Sequence, residues 1–382
     1  LLLACSNDPW ALESTNLPLL YGEDTRRDLY EAQDEVHQSL MAESALALFD
    51  ESSLLRHEDG SIDYVDTPLD EFIGLCPDER FREQPAAALC SGTLITDSLL
   101  LTAGHCIRST AFCAEQTWAF GYSVTAPGAP PQLRTSDLYR CKSVPVCAHR
   151  TDPDGRRWDF AFVELERPVS PPRRPAPMDL DGLTVGSHME VIGFPSGLPV
   201  KIDEDAKVLD TRASFGDYFA LGSDTYDRSS GSGVFDAEGV LRGVFQRGAE
   251  DYVYREELDC FTSQRVSESV DPARTEQAGY LGPALALLCR SGFNDDRICA
   301  SASRFNAPVL ATDTCAPPSP SIQHSRASSG AACAVAPPSS RSPVPPGCLG
   351  LLLGLGLWRG LKTRPFRGHR TRALATPGCP RF

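Results

Sequence analysis

Three short segments place a base, a carboxylate and a hydroxyl in chain order beside turn-forming residues. The first is Leu101-Thr102-Ala103-Gly104-His105-Cys106, preceded by Cys90-Ser91-Gly92-Thr93-Leu94-Ile95. Two short β-rich runs thus lead into a small-residue turn that carries one histidine. An imidazole is a general base at neutral pH, but it needs a carboxylate to orient it and a hydroxyl to act on. The second segment, Trp158-Asp159-Phe160-Ala161-Phe162-Val163-Glu164-Leu165, offers the carboxylate. Asp159 precedes an apolar run expected to enter the core, where it would fix the imidazole tautomer and stabilise the cation. Asp152 and Asp154 are rivals, but they stand in a Pro/Gly-rich turn that reads as solvated. The third segment runs from Asp224 to Phe235 and holds Ser229, Ser230 and Ser232 among glycines ahead of a strand. Read alone it is equally a flexible Ser/Gly turn. Together the three segments point to nucleophilic acyl transfer.

The His105 segment closely resembles the histidine region of trypsin-like serine peptidases, in its Thr102–Cys106 core and in the flanking cysteines. Asp159 with its apolar run is similar to the aspartate segment of those enzymes. Ser230-Gly231-Ser232-Gly233-Val234-Phe235 looks like the nucleophile segment of their bacterial, glutamyl-endopeptidase-like branch. The stretch Ile192–Pro199 resembles the GxPxG segment of bacterial members, and Tyr21–Glu31 looks like their acidic leader. The likeness covers about Cys76–Tyr254. It implies His105, Asp159 and Ser230 as a triad; Ser232 would break the match to the following strand, and Ser229 fits less well still. It also implies a Cys90–Cys106 disulfide. Closing a loop of about 15 residues, that bond is worth about 3 kcal/mol in the chain-entropy model. The order His, Asp, Ser agrees with this family and differs from α/β-hydrolases and subtilisins.

Two departures touch the oxyanion hole, which the resemblance assigns to the backbone amides of Arg228 and Ser230. Arg228 stands where glycine is usual, and Gly233 replaces a proline. Loss of one donor there costs about 10²–10³ in kcat. Ser229 replaces the acid that pairs with a new N-terminus in trypsin, which argues against that mode of activation. For the specificity pocket the resemblance points to Asp224, Thr225, Phe245 and Gly248. Asp224 lies where trypsin binds Arg and Lys side chains; Phe245 lies where glutamyl enzymes carry a histidine, which disfavours glutamate, while Thr225 leaves it open. The other class of reading is a pseudoprotease whose cleft only binds a partner protein. The resemblance implies protein or peptide substrates and no metal or organic cofactor. The cysteines do not stand in zinc spacings such as CxxC…CxxC, nor is there an HExxH helix.

The elements that must position these residues read as all-β. Short β-rich runs at Ser91–Ile95, Ser98–Thr102, Trp118–Val124, Phe160–Leu165, Met189–Phe194, Gly233–Phe235 and Val240–Phe245 alternate with Gly, Pro, Asp and Ser clusters. The resemblance makes this two six-stranded antiparallel β-barrels of chymotrypsin type, with the triad in the cleft between them. Ahead of them, Val36, Leu40, Met41, Ala45, Leu48 and Phe49 recur at helical spacing, so one amphipathic helix is expected over Asp34–Phe49. A short closing helix is expected over Tyr280–Leu288.

Four regions follow. Residues 1–5 read as the end of an export signal, with Leu2-Leu3-Ala4-Cys5 resembling a lipobox in which Cys5 is lipidated and anchors the chain to a membrane. Residues 6–70 read as an acidic propeptide or N-terminal extension containing the helix, and residues 71–300 as the peptidase domain. Residues 301–382 read as a Pro/Ser/Ala-rich linker and a disordered basic tail. The apolar run Leu349–Trp358 after Cys348 is too short to span a bilayer.

Net charge is −15, yet Pro320–Phe382 holds nine Lys or Arg and no Asp or Glu. The preceding body therefore carries −24, which argues against nucleic-acid binding by phosphate neutralisation. Fourteen scattered cysteines fit disulfides formed in an oxidising compartment, so secretion or a cell-envelope location is expected. Oligomeric state is not legible.

Overall fold

The computed structural model describes residues 20–21, 24–107, 110–248, 251–266, 275–309 and 315. The expectations for the export signal and Cys5, and for the linker and tail from residue 316 onward, lie outside these residues.

In chain order the strands are β1 (Leu20–Tyr21), β2 (Arg26–Asp28), β3 (Ala45–Asp50), β4 (Leu54–Arg56), β5 (Ser61–Tyr64), β6 (Cys90–Thr96), β7 (Leu99–Thr102), β8 (Gln116–Ala119), β9 (Leu133–Arg134) and β10 (Leu138–Thr151). They continue as β11 (Arg157–Leu165), β12 (His188–Gly193), β13 (Lys201–Asp210), β14 (Tyr218–Gly222), β15 (Gly233–Phe235), β16 (Leu241–Arg247), β17 (Tyr252–Arg255), β18 (Cys260–Ser263), β19 (Arg265–Val266) and β20 (Glu276–Tyr280). Helices α1 (Glu35–Glu43), α2 (Leu69–Ile73), α3 (Leu281–Arg290) and α4 (Asp296–Ala302) accompany them.

Six strands close the first barrel in the order β10-β11-β7-β6-β3-β8. The second runs β12-β15-β16-β20-β14-β13 and is closed by the pairing of β12 with β13, while β2 adds to the start of β13. Closure pairs each barrel stave with two neighbours, leaving the short β2 as the edge of the second sheet. Each barrel carries its own apolar cluster: Leu46, Leu94, Leu100, Trp118 and Val163 for the first, Met189, Val208, Phe219, Val234 and Phe245 for the second. A third, larger cluster includes Phe49, Leu101, Phe162, Ile192, Phe194 and Phe235, drawn from strands of both barrels. The all-β, two-barrel expectation holds.

The helix expected over Asp34–Phe49 is half strand. Asp34 caps α1 by accepting from the Val36 amide at 2.7 Å, and the helix ends at Glu43. Residues 45–50 then form β3, between β6 and β8. Its alternate residues divide between clusters, Leu46 and Leu48 to one and Ala45, Ala47 and Phe49 to another. A strand buried on both faces shows a continuous apolar run, which periodicity does not separate from a helix.

Residues 6–70 are therefore not simply an extension: they supply a barrel stave and the edge strand β2. The C-terminal boundary also moves. The chain stays attached beyond residue 300, through α4, an Arg150-to-Val309 carbonyl hydrogen bond and the Cys147–Cys315 disulfide. Strand β8 spans Gln116–Ala119 rather than Trp118–Val124, and α3 ends at Arg290.

Candidate active site

His105 sits in the turn Gly104–Cys106 that leaves β7. This turn lies tight against the β10–β11 hairpin: a β-carbon on Gly104 would stand 2.1 Å from the Ala148 carbonyl oxygen, so no larger residue fits. The Cys90–Cys106 disulfide ties the turn to the start of β6.

Asp159 lies on β11 and grips the turn twice. Its Oδ1 accepts from the His105 backbone amide at 2.9 Å, and its Oδ2 stands 2.8 Å from His105 Nδ1. A carboxylate only accepts, so Nδ1 carries the proton and Nε2 keeps its lone pair. Burial disfavours the charged ring, but the Asp159 carboxylate and its hydrogen bond outweigh this, holding His105 above its ordinary 6.5. Burial also works against the ionised Asp159, and the imidazole with its hydrogen bonds more than compensates, so that carboxyl sits below the usual range. The rival aspartates are occupied elsewhere: Asp152 accepts from Trp158 Nε1 at 2.6 Å, and Asp154 pairs with Arg156.

Ser230 lines the same cleft as His105 and Asp159, a space of about 370 Å³. Its neighbours are committed inside the turn. The Ser232 hydroxyl is fully buried and donates to the Ser229 carbonyl at 2.5 Å, and the buried Ser229 hydroxyl accepts from the Tyr226 amide at 3.2 Å. The Ser230 carbonyl accepts from the Ser91 amide at 2.8 Å, fastening the turn to the first barrel. Gly231, at φ +89°, sits where a β-carbon would stand 2.0 Å from the Ser91 oxygen.

The Asp227 carbonyl accepts from the Ser196 amide. In a trans peptide this directs the Arg228 N–H the opposite way. Among the described residues, neither the Arg228 nor the Ser230 amide donates to a protein acceptor. Arg228 adopts φ +65°, a region that favours glycine. Its side chain leaves the cleft, stacking over Phe72 at 4.3 Å and reaching the Ala88 carbonyl at 3.3 Å.

The four residues expected to form the specificity pocket part company in the structure. Phe245 and Gly248 line the cleft, whereas Asp224 and Thr225 do not. Asp224 is buried elsewhere: its Oδ2 accepts from the Thr25 amide at 2.9 Å and the Thr25 hydroxyl at 3.1 Å, and its own amide donates to Asp203 at 2.6 Å. The residues ahead of β2 have captured the carboxylate assigned to a substrate cation. The cleft instead carries Tyr226, Asp227, Gln246, Arg247, Asp251 and His149, none of which local sequence motifs singled out. His149 arrives through register, facing Asp159 across β10 and β11.

Residues 90–244 match the family model described as a trypsin-like peptidase domain. Among solved structures, a Glu endopeptidase in complex with MPD is 14% identical, with 71% of this chain and 98% of that chain covered and a TM-score of 0.41. The inactive form of the Rv3671c protease of M. tuberculosis H37Rv is also 14% identical, covering 72% and 100% at a TM-score of 0.38. No curated protein matches.

Proposed function

We propose that this chain is a serine endopeptidase working through an acyl-enzyme. His105 Nε2 takes the Ser230 proton as Oγ attacks a peptide carbonyl, and Asp159 stabilises the imidazolium that forms. The Arg228 and Ser230 amides receive the oxyanion. His105 then protonates the leaving amine, and water, activated by the same imidazole, releases the acid. The observation that carries this reading is the 2.8 Å His105–Asp159 contact in a cleft that Ser230 also lines. The unengaged amides support it against a cleft that merely binds a partner, a reading that rests on Arg228 replacing glycine.

The five disulfides among the described residues favour an oxidising compartment, and so secretion or the cell envelope. Lipidation of Cys5 would add a membrane anchor. A fluorophosphonate probe tests the activity. The protein should be labelled at Ser230 and the Ser230→Ala variant should not be; a folded protein without labelling would favour the binding reading.

A further inference from the structure

The cleft brings a second imidazole to the first. The rings of His105 and His149 have centroids 5.7 Å apart and planes inclined at 57°. One ligand atom each from His105, His149 and Asp159 lie within 4.8 Å of one another. A zinc ion binds imidazole nitrogen at about 2.0–2.1 Å, which puts the ring centroid about 3 Å from the metal. Two imidazoles on a tetrahedral ion therefore have centroids about 5 Å apart. The observed 5.7 Å separation is close to that spacing.

The rest of the site is already arranged. Metal-bound histidines commonly donate their other ring N–H to a carboxylate, which fixes the ring and raises its basicity. The Asp159–His105 contact is such a pair, leaving Nε2 toward the cleft. His149 is exposed, and about a third of the His105 side chain, 34%, is accessible. Asp227 and Asp251 also line the cleft and outnumber the positive charge of Arg247. Imidazole donors select zinc and similar transition ions over magnesium or calcium, which prefer oxygen.

We propose that His105 and His149 form a zinc-binding site in which the ion caps His105 Nε2 and so inhibits the enzyme reversibly. Zinc would occupy the lone pair that the proposed mechanism uses to deprotonate Ser230, with water completing the coordination. The inhibitory consequence rests on the serine-endopeptidase reading; the binding itself does not.

Two measurements test this on the full chain. The first is zinc binding to the Ser230→Ala protein, read by competition with a chromogenic chelator. A low-micromolar site should appear there and weaken by more than about tenfold when His149→Ala is added. The second is zinc inhibition of amidase activity, each variant normalised to its own zinc-free rate. His149→Ala should raise the inhibitory concentration by a similar factor, and magnesium should not inhibit. Binding that survives His149→Ala unchanged would overturn the site, since it would then belong to other histidines. An active enzyme uninhibited at zinc concentrations that fill the site would overturn the inhibitory role. A protein with no amidase activity would instead count against the endopeptidase reading, and the chelator competition would still decide the metal site.

Discussion

The guanidinium of Arg26 lies 3.7 Å from the centre of the Tyr226 ring, and Tyr226 lines the cleft beside Ser230. Arg26 is buried and held by Asp24 through two hydrogen bonds of 2.9 and 2.8 Å. Tyr252 of β17 packs on the same tyrosine at 5.2 Å. The strand nearest the N-terminus among those of the second sheet thus packs against the segment that leads to Ser230. Trypsin-style bracing by a new N-terminus would need an acid at position 229, and serine stands there.

Removing that packing should loosen the turn. Arg26→Ala leaves Asp24 buried, with Arg80 at 3.3 Å as its remaining ion-pair partner among the described residues. The expected loss of stability is about 3 kcal/mol, the lower end for breaking a buried pair. Fluorophosphonate labelling of Ser230 should slow in parallel, with Arg26→Lys intermediate. Denaturant titration and labelling rates check this; wild-type values for both in Arg26→Ala would remove the bracing role.

The pH profile should follow His105. As a base it works only when neutral, and its pKa is held above 6.5. Activity should therefore fall as pH drops through that raised value. Asp227 favours the charged ring and Arg247 opposes it. Asp227→Asn should consequently move the acidic limb of kcat/KM to lower pH, and Arg247→Gln should move it higher. Shifts of the opposite sign would refute the electrostatic account.

Asp224 should not set specificity. With its carboxylate given to Thr25, Asp224→Asn should change the ratio of cleavage after Arg to cleavage after Leu by less than about tenfold, or about 1.4 kcal/mol. Peptides differing only at that residue measure it. Collapse of a strong preference for Arg would show that the carboxylate reaches the cleft.

How much of this was legible in the sequence depended on how local the determinants are. His105, Asp159 and Ser230 each sit in a contiguous motif whose neighbours are dictated by tight packing, as Gly104 and Gly231 show. The fate of Asp224 was hidden because its partner Thr25 is 199 residues away. His149 depended on strand register, and β3 on burial of both its faces. The Cys147–Cys315 bond, spanning 168 residues, has no local signature at all.

The Cys90–Cys106 bond should matter for both stability and the site. Replacing both cysteines with alanine should cost about 3 kcal/mol by the loop-entropy estimate. It also frees the His105 turn, so labelling should weaken beyond what the stability loss explains at temperatures where the variant remains folded. Equal labelling rates in folded wild type and variant would show that packing around Gly104 holds the turn unaided.

Steady-state turnover of a peptide amide by the wild-type protein and by folded Ser230→Ala decides whether Ser230 is the nucleophile of a peptidase. Turnover should be measurable in the first and fall about 10⁴-fold or more in the second, on the precedent of triad removal. Turnover that survives in Ser230→Ala would contradict that assignment.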